Sequence, residues 1–156
     1  MANELVILGA GESGVGSALL AQAKGLRVFV SDSGTIQPRY RQELTDHAIP
    51  FEEGGHSTER ILKGVEVIKS PGIPDKAPLI KALHEQHIPV ISEIEFAGRY
   101  SQAFMIGITG SNGKTTTTLW THHILQQAGF DAVLAGNVGI SLARTLIERD
   151  PAMVVL

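Results

Sequence analysis

Short apolar runs alternate along the chain with longer stretches whose apolar positions recur every three or four residues, the mark of strands alternating with helices. Leu5-Val6-Ile7-Leu8 reads as a buried strand closed by Gly9-Ala10-Gly11. The helix after it carries Val15, Ala18, Leu19 and Ala23 on one side and ends near Gly25, a residue suited to the turn past a helix. Val28-Phe29-Val30 is the second strand and runs into Ser31-Asp32. A polar helix from Arg39 to His47 follows Pro38, then a short strand at Phe51-Glu52, with the pair Glu52-Glu53 expected on the surface. Val65-Glu66-Val67-Ile68 is the fourth strand, left by the loop Ser70-Pro71-Gly72-Ile73-Pro74. Ala77 to Gln86 reads as a helix with Leu79, Ile80 and Leu83 inward, and Pro89-Val90-Ile91 as the fifth strand. The expectation is an α/β, Rossmann-like domain over residues 1–93, a parallel sheet with helices on both faces.

Ser92 to Ser101 reads as a helical connector, with Ser92 as N-cap and Glu95 three residues on. The alternation then restarts. Phe104 to Ile108 is a strand, a glycine-rich turn leads into a helix from Lys114 to Ala128, Ala132-Val133-Leu134 is a strand and Ser141 to Glu148 a helix. Met153-Val154-Val155-Leu156 opens a further strand and ends the sequence. Chain ends usually lie in polar, exposed segments. Residues 94–156 are therefore expected to be the truncated start of a P-loop ATPase domain, poorly packed around Met153–Leu156.

Thirteen Lys+Arg against 16 Asp+Glu give the 156-residue chain a net charge of −3, so no basic field exists to hold a nucleic acid or an anionic membrane. The absence of cysteine removes disulfides, thiolate zinc sites and cysteine nucleophiles, and fits a reducing cytosol. Met1-Ala2-Asn3-Glu4 has no basic leader, and no apolar stretch reaches membrane-spanning length. A soluble cytoplasmic monomer is expected, without nucleic-acid partner or membrane insertion.

Gly9-Ala10-Gly11-Glu12-Ser13-Gly14 satisfies G-x-G-x-x-G between a strand and a helix. Asp32 ends the next strand about 20 residues on, where an acidic residue can accept a ribose hydroxyl. Glycine is needed because side chains would bar the backbone from a diphosphate, which the helix N-terminus attracts. Alone, this loop fits NAD and a UDP-sugar equally, and a tight turn wants glycine in any case.

Thr109-Gly110-Ser111-Asn112-Gly113-Lys114-Thr115-Thr116 also joins a strand to a helix. It departs from G-x-x-x-x-G-K-[ST] in that Ile108 stands at the first glycine, with Gly107 and Gly110 on either side. Its backbone N–H groups can cradle phosphate, Lys114 can reach the β and γ phosphates of ATP, and the Thr115 hydroxyl can join Mg2+. A dehydrogenase has no use for such a loop.

These two loops, with Ser70-Pro71-Gly72-Ile73-Pro74 and Ala135-Gly136-Asn137-Val138-Gly139, resemble the Mur ligase family and, within it, the D-glutamate-adding branch. The Thr-Gly-x-Asn-Gly-Lys-Thr form is shared by Mur and folylpolyglutamate ligases. The resemblance implies an ATP- and Mg2+-dependent ligase that joins D-glutamate to UDP-N-acetylmuramoyl-L-alanine through an acyl phosphate, in cytoplasmic peptidoglycan precursor synthesis. It implies ATP contacts at Gly110, Ser111, Asn112, Gly113, Lys114, Thr115 and Thr116, with Lys114 and Thr115 catalytic and Thr115 a Mg2+ ligand. It further implies UDP-substrate contacts at Gly11, Glu12, Ser13, Asp32, Ser33, Gly34, Ser70, Gly72 and Asn137. The family's metal-binding glutamate, a later histidine, a carbamylated lysine and the D-glutamate domain would all lie beyond Leu156, so this piece is expected to be inactive. The alternatives are an NAD-binding module of an oxidoreductase or redox sensor, a P-loop ATPase with a regulatory Rossmann domain and, within the family, the L-alanine-adding ligase. His122-His123 and His84/His87 read as solvated helix residues, since adjacent helical positions diverge too far to share a metal.

Overall fold

The structure is a computed structural model that describes residues 4–156, so the expectation drawn from Met1-Ala2-Asn3 that no signal peptide is present lies outside the described residues. The first half runs β1 (Glu4–Leu8), α1 (Glu12–Ala23), β2 (Arg27–Ser31), α2 (Pro38–Asp46), β3 (Phe51–Glu52), α3 (Thr58–Ile61), β4 (Glu66–Lys69), α4 (Pro78–Glu85), β5 (Val90–Ile91) and α5 (Glu93–Gly98). The second half adds β6 (Phe104–Ile106), α6 (Lys114–Gln127), β7 (Ala132–Leu134), α7 (Leu142–Glu148) and β8 (Met153–Val155).

The first sheet has the order β3-β2-β1-β4-β5, with every pairing parallel. The chain moves outward from β1 to β3 and then returns to the other side of β1 at β4. That reversal leaves a crevice beyond the C-terminal ends of β1, β2 and β4. Alternate residues of β1 enter opposite layers. Leu5 and Ile7 join Leu20, Val30 and Phe96 on the α1/α5 face, whereas Val6 and Leu8 join Phe29, Ile61, Ile80 and Leu83 on the α3/α4 face.

Four departures from the sequence reading have plain causes. Helix α1 is buried from Gly14 to Ala21 rather than along one stripe, and Ala23 is exposed, because α7 covers the side of α1 turned away from the sheet. Helix α3, a single turn, gave no periodic signal because Ile61 is its one apolar residue. Glu52 and Glu53 are half-buried and hydrogen-bonded rather than plain surface charges. Strand β6 stops at Ile106, since Gly107 already belongs to the loop.

The largest correction concerns the last residues. The second sheet has the order β6-β8-β7, all parallel, so Met153–Val155 is its central strand and not a poorly packed edge. Val154 and Val155 are fully buried. Leu142, Ala143 and Leu146 of α7 share one apolar cluster with Val15, Ala18 and Leu20 of α1. Helix α6 is the contrast, because Thr118 is its buried residue while Leu119, Trp120 and Ile124 are exposed. Among the described residues no helix is long and apolar enough to cross a membrane.

Candidate functional site

The loop Gly9–Gly14 leaves β1 and opens α1 by tight packing. A Cβ on Gly14 would stand 1.9 Å from the Gly9 carbonyl oxygen, and one on Gly9, whose φ is +94°, would stand 2.4 Å from Ser70 Oγ. Gly11 has nothing within 4 Å of its Cβ position, so the middle of the loop faces open space. It precedes Glu12 as the N-cap of α1, and no side chain caps that end. The first amides of α1 therefore remain for another acceptor.

Asp32 organises this loop. Its Oδ2 accepts from Ala10 N at 2.7 Å and its Oδ1 from Gly34 N at 2.8 Å, tying the end of β2 to the start of α1. Ser33 and Gly34 are exposed beside it. Ser70 follows β4, donates its N–H to Leu8 O at 3.0 Å and borders Gly9, with Gly72 exposed two residues on. Gly11, Asp32, Ser33, Gly34, Ser70 and Gly72 thus lie on the loops at the C-terminal ends of β1, β2 and β4, with Ser13 in the first turn of α1.

A polar chain that sequence reading missed runs beneath them. The Ser31 hydroxyl donates to Glu52 Oε1 at 2.6 Å and lies 2.7 Å from His56 Nδ1. A hydroxyl has one proton, so with Glu52 ionised the hydrogen between Ser31 and His56 sits on Nδ1. Glu52 also accepts from the Ser57 amide and hydroxyl. Burial opposes its ionisation, but the Ser31 and Ser57 hydrogen bonds outweigh burial and hold its carboxyl below the usual range.

The second loop is open. Gly110 has φ +151° and Gly113 φ +76°, and Gly113 caps α6 so that Lys114 and Thr115 are its first residues. No atom lies within 4 Å of the Cβ positions of Gly107 and Gly113. Lys114 Nζ folds back onto the Gly110 carbonyl. Lys114, Thr115 and Asn137 line one cleft of about 560 Å³, to which Pro71 from the first half also contributes. Ser111, Asn112 and Thr116 are exposed on the loop and at the start of α6, outside that lining.

Two carboxylates from the first half grip the start of α7. Glu93, 5% exposed, accepts from Ala143 N at 2.6 Å, and its burial pushes its carboxyl up despite that bond. Glu12 accepts from Ser141 N at 3.3 Å and from Arg144 Nε at 2.9 Å. Burial works against the Glu12 charge, yet the Ser141 amide, Arg144 and Tyr40 hold its carboxyl below the usual range. Of the expected substrate contacts, Glu12 is the one whose side chain is committed across the molecule. Its partners are 129 and 132 residues away, beyond any local sequence signal. His122 Nε2 lies 3.0 Å from the Ala132 carbonyl, joining α6 to β7, and among the described residues no three His, Cys, Asp or Glu side chains are placed to hold a metal ion.

Two successive parallel sheets, each with a glycine loop between its first strand and helix, define an α/β fold that solved Mur-type ligases share. The murein peptide ligase of Psychrobacter arcticus superposes with a TM-score of 0.59 at 27% identity, covering 84% of this chain and 28% of that one. The UDP-N-acetylmuramate-alanine ligase of Thermotoga maritima has the same fold, with a TM-score of 0.56 at 21% identity over 97% of this chain and 36% of that one. Residues 3–92 match the family described as Mur ligase MurD-like, N-terminal domain, and the chain belongs to that family. It is 64% identical over 148 residues to the UDP-N-acetylmuramoylalanine–D-glutamate ligase of Porphyromonas gingivalis, covering 95% of this chain and 33% of that protein. Against the enzyme of the same name from Bacteroides fragilis it is 58% identical over 145 residues, covering 93% and 33%. The chain therefore spans about a third of the length of the curated relatives it matches.

Proposed function

We propose that the chain forms the UDP-binding region (1–93) and the opening of the ATP-binding region (94–156) of a cytoplasmic ligase. That ligase adds D-glutamate to UDP-N-acetylmuramoyl-L-alanine in peptidoglycan precursor synthesis. The observation that carries this reading is that Lys114, Asn137 and Pro71 line one cleft. A phosphate-type loop and the rim of the first crevice thus face a common space, as a reaction between a nucleotide triphosphate and a UDP-linked acid requires. The names and close identity of the relatives support the amino acid added. An NAD module would leave Lys114 and its loop without a task.

In this reading the backbone amides of Gly11, Glu12 and Ser13 hold the diphosphate, a role suited to the open space over Gly11. Asp32 fixes Ala10 and Gly34 while Ser33 and Gly34 meet the uridine, with Ser70 and Gly72 on the opposite rim. Asn137 meets the muramoyl portion. Gly110, Ser111, Asn112, Gly113 and Thr116 frame the triphosphate, and the empty space beside Gly107 and Gly113 fits phosphate oxygens. Lys114 exchanges the Gly110 carbonyl for those oxygens, a stronger charge-assisted bond that neutralises charge developing during transfer. Thr115 would offer its hydroxyl as one ligand to Mg2+. Bound ATP supplies the phosphoryl group. A substrate carboxylate oxygen bonds to the γ-phosphorus as ADP leaves, and the D-glutamate nitrogen then bonds to the carbonyl carbon as inorganic phosphate leaves with the C–O electron pair, the amine proton passing to water.

Calorimetric titration tests this directly. UDP-N-acetylmuramoyl-L-alanine is expected to bind saturably, MgATP to bind in a manner lost in Lys114→Ala, and NAD+ and NADH to give no heat. Binding of NAD+ or NADH with silence from the UDP-sugar overturns the reading.

A further inference from the structure

Glu12 is the first residue of α1, immediately after Gly9-Ala10-Gly11, where unpaired N–H groups and the positive end of the helix meet. A free carboxylate there competes for those amides and repels any phosphate that approaches them. The structure moves that charge aside. Glu12 Oε1 accepts from Arg144 Nε at 2.9 Å and Ser141 N at 3.3 Å, while Oε2 accepts from the Tyr40 hydroxyl at 3.3 Å. The other guanidinium nitrogens of Arg144 grip Glu43 of α2, Nη2 to Oε2 at 3.0 Å and Nη1 to Oε1. Arg39 Nη2 completes the cluster by donating to Tyr40 at 2.6 Å. Arg144 and Glu12 are largely shielded, their side chains 21% and 34% exposed, so their attraction is screened less than that of a surface pair.

Arg144 comes from α7, whose N-terminus follows the Gly136–Gly139 turn containing Asn137. Close approach of α7 is built into α1, because a Cβ on Gly16 would stand 2.2 Å from Ser141 Oγ.

We propose that Arg144 is a positioning residue for the first glycine loop: it draws the Glu12 carboxylate off the N-terminus of α1 and neutralises it, so that the diphosphate site of residues 9–14 is complete only when α7 is seated on α1. This rests on the reading that the first loop takes a UDP ligand. It adds that a residue from the second half, far outside the glycine motif, controls affinity there. Loss of Arg144 leaves Glu12 and Glu43 facing each other across the α1/α2/α7 junction, with Glu12 free to swing onto the loop amides.

The test is calorimetric titration of UDP into the 156-residue chain and into R144M, R144K, E12D, E12Q and the double variant E12Q/R144M, with a thermal melt of each as the folding control. R144M is expected to weaken UDP binding about ten-fold or more, with R144K intermediate, because a desolvated charge has lost its partner beside an anion site. E12D, whose shorter carboxylate falls away from Arg144, is expected to weaken binding even if R144M does not fold. E12Q/R144M is expected to bind UDP several-fold more tightly than R144M, because removing the carboxylate removes the repulsion that loss of Arg144 exposes. A purely structural role for Arg144 predicts instead that UDP affinities follow the melting temperatures of the variants. Wild-type affinity in both R144M and E12D, or a double variant as weak as R144M, overturns the proposal. If the wild-type chain itself fails to bind UDP, the reading of the first loop falls and the proposal with it, an outcome recognised by the absence of heat from every variant.

Discussion

The two glycine loops use the same residue for opposite ends. In the first, glycine lets backbone touch backbone: Gly14 against the Gly9 carbonyl, Gly9 against Ser70, and Asp32 tied to Ala10 and Gly34. In the second, glycine provides backbone angles and leaves room. Gly110 and Gly113 lie at positive φ, and nothing stands within 4 Å of the Gly113 Cβ position. One loop is held by its own packing and hydrogen bonds. The other is shaped by its dihedral angles, with Lys114 resting on its own carbonyl. The surroundings follow suit, with α1 enclosed on nearly every side and α6 buried at Thr118.

The sharpest way to break this comparison is Gly14→Ala. Its methyl would need the space 1.9 Å from a backbone oxygen, and neither α1 nor β1 can retreat without opening the core. A loss of about 3 kcal/mol or more is expected, read as a shift of the urea midpoint. Gly11→Ala is the control, since its φ of −86° suits alanine and its surroundings are open. Stability there should stay within about 0.5 kcal/mol while UDP binding weakens. Equal midpoints for the two variants would remove the distinction between packed and open glycine.

Asp32→Asn comes next. An amide presents one acceptor where the carboxylate presents two, so either Ala10 N or Gly34 N would face an NH2 group. A loss of about 1–3 kcal/mol is expected from the urea midpoint. Gly113→Ala should cost about 1–2 kcal/mol through its left-handed backbone alone. If Gly113→Ala proved as damaging as Gly14→Ala, the second loop would be as tightly packed as the first.

Most of the first sheet was legible because the five strand runs and their bounding glycines and prolines are local signals. Both loops were legible for the same reason. Three things were not. The seat of α7 on α1 depends on Gly16, Ser141 and Leu142, whose partners lie more than a hundred residues apart. The Ser31–Glu52–His56 chain joins a strand end to a loop with no motif to announce it. Strand β8 comes last in the sequence and read as poorly packed, yet it enters between β6 and β7. Sequence order gave the elements, and only the long-range contacts fixed their neighbours.

The smallest expected effect separates the two carboxylates that hold α7. Glu12 sits below its ordinary value of 4.5, so the folded state releases its proton more readily than the unfolded chain does. Its stabilisation is present above about pH 4.5 and is lost as pH falls through the lowered folded value. Glu93 is displaced the other way by burial, so the folded state holds its proton more tightly. Its contribution is fully present below the unfolded value and is lost as pH rises through the raised folded one. Melting temperatures measured from about pH 2 to 7 should therefore show, above about pH 4.5, a decline toward neutrality that disappears in Glu93→Gln, whose side-chain oxygen can still accept from Ala143 N. Glu12→Gln should instead flatten the fall on the acid side. Two variants with curves parallel to wild type would mean that neither carboxylate is seated on α7, and the packed half of the comparison would lose its link to the open one.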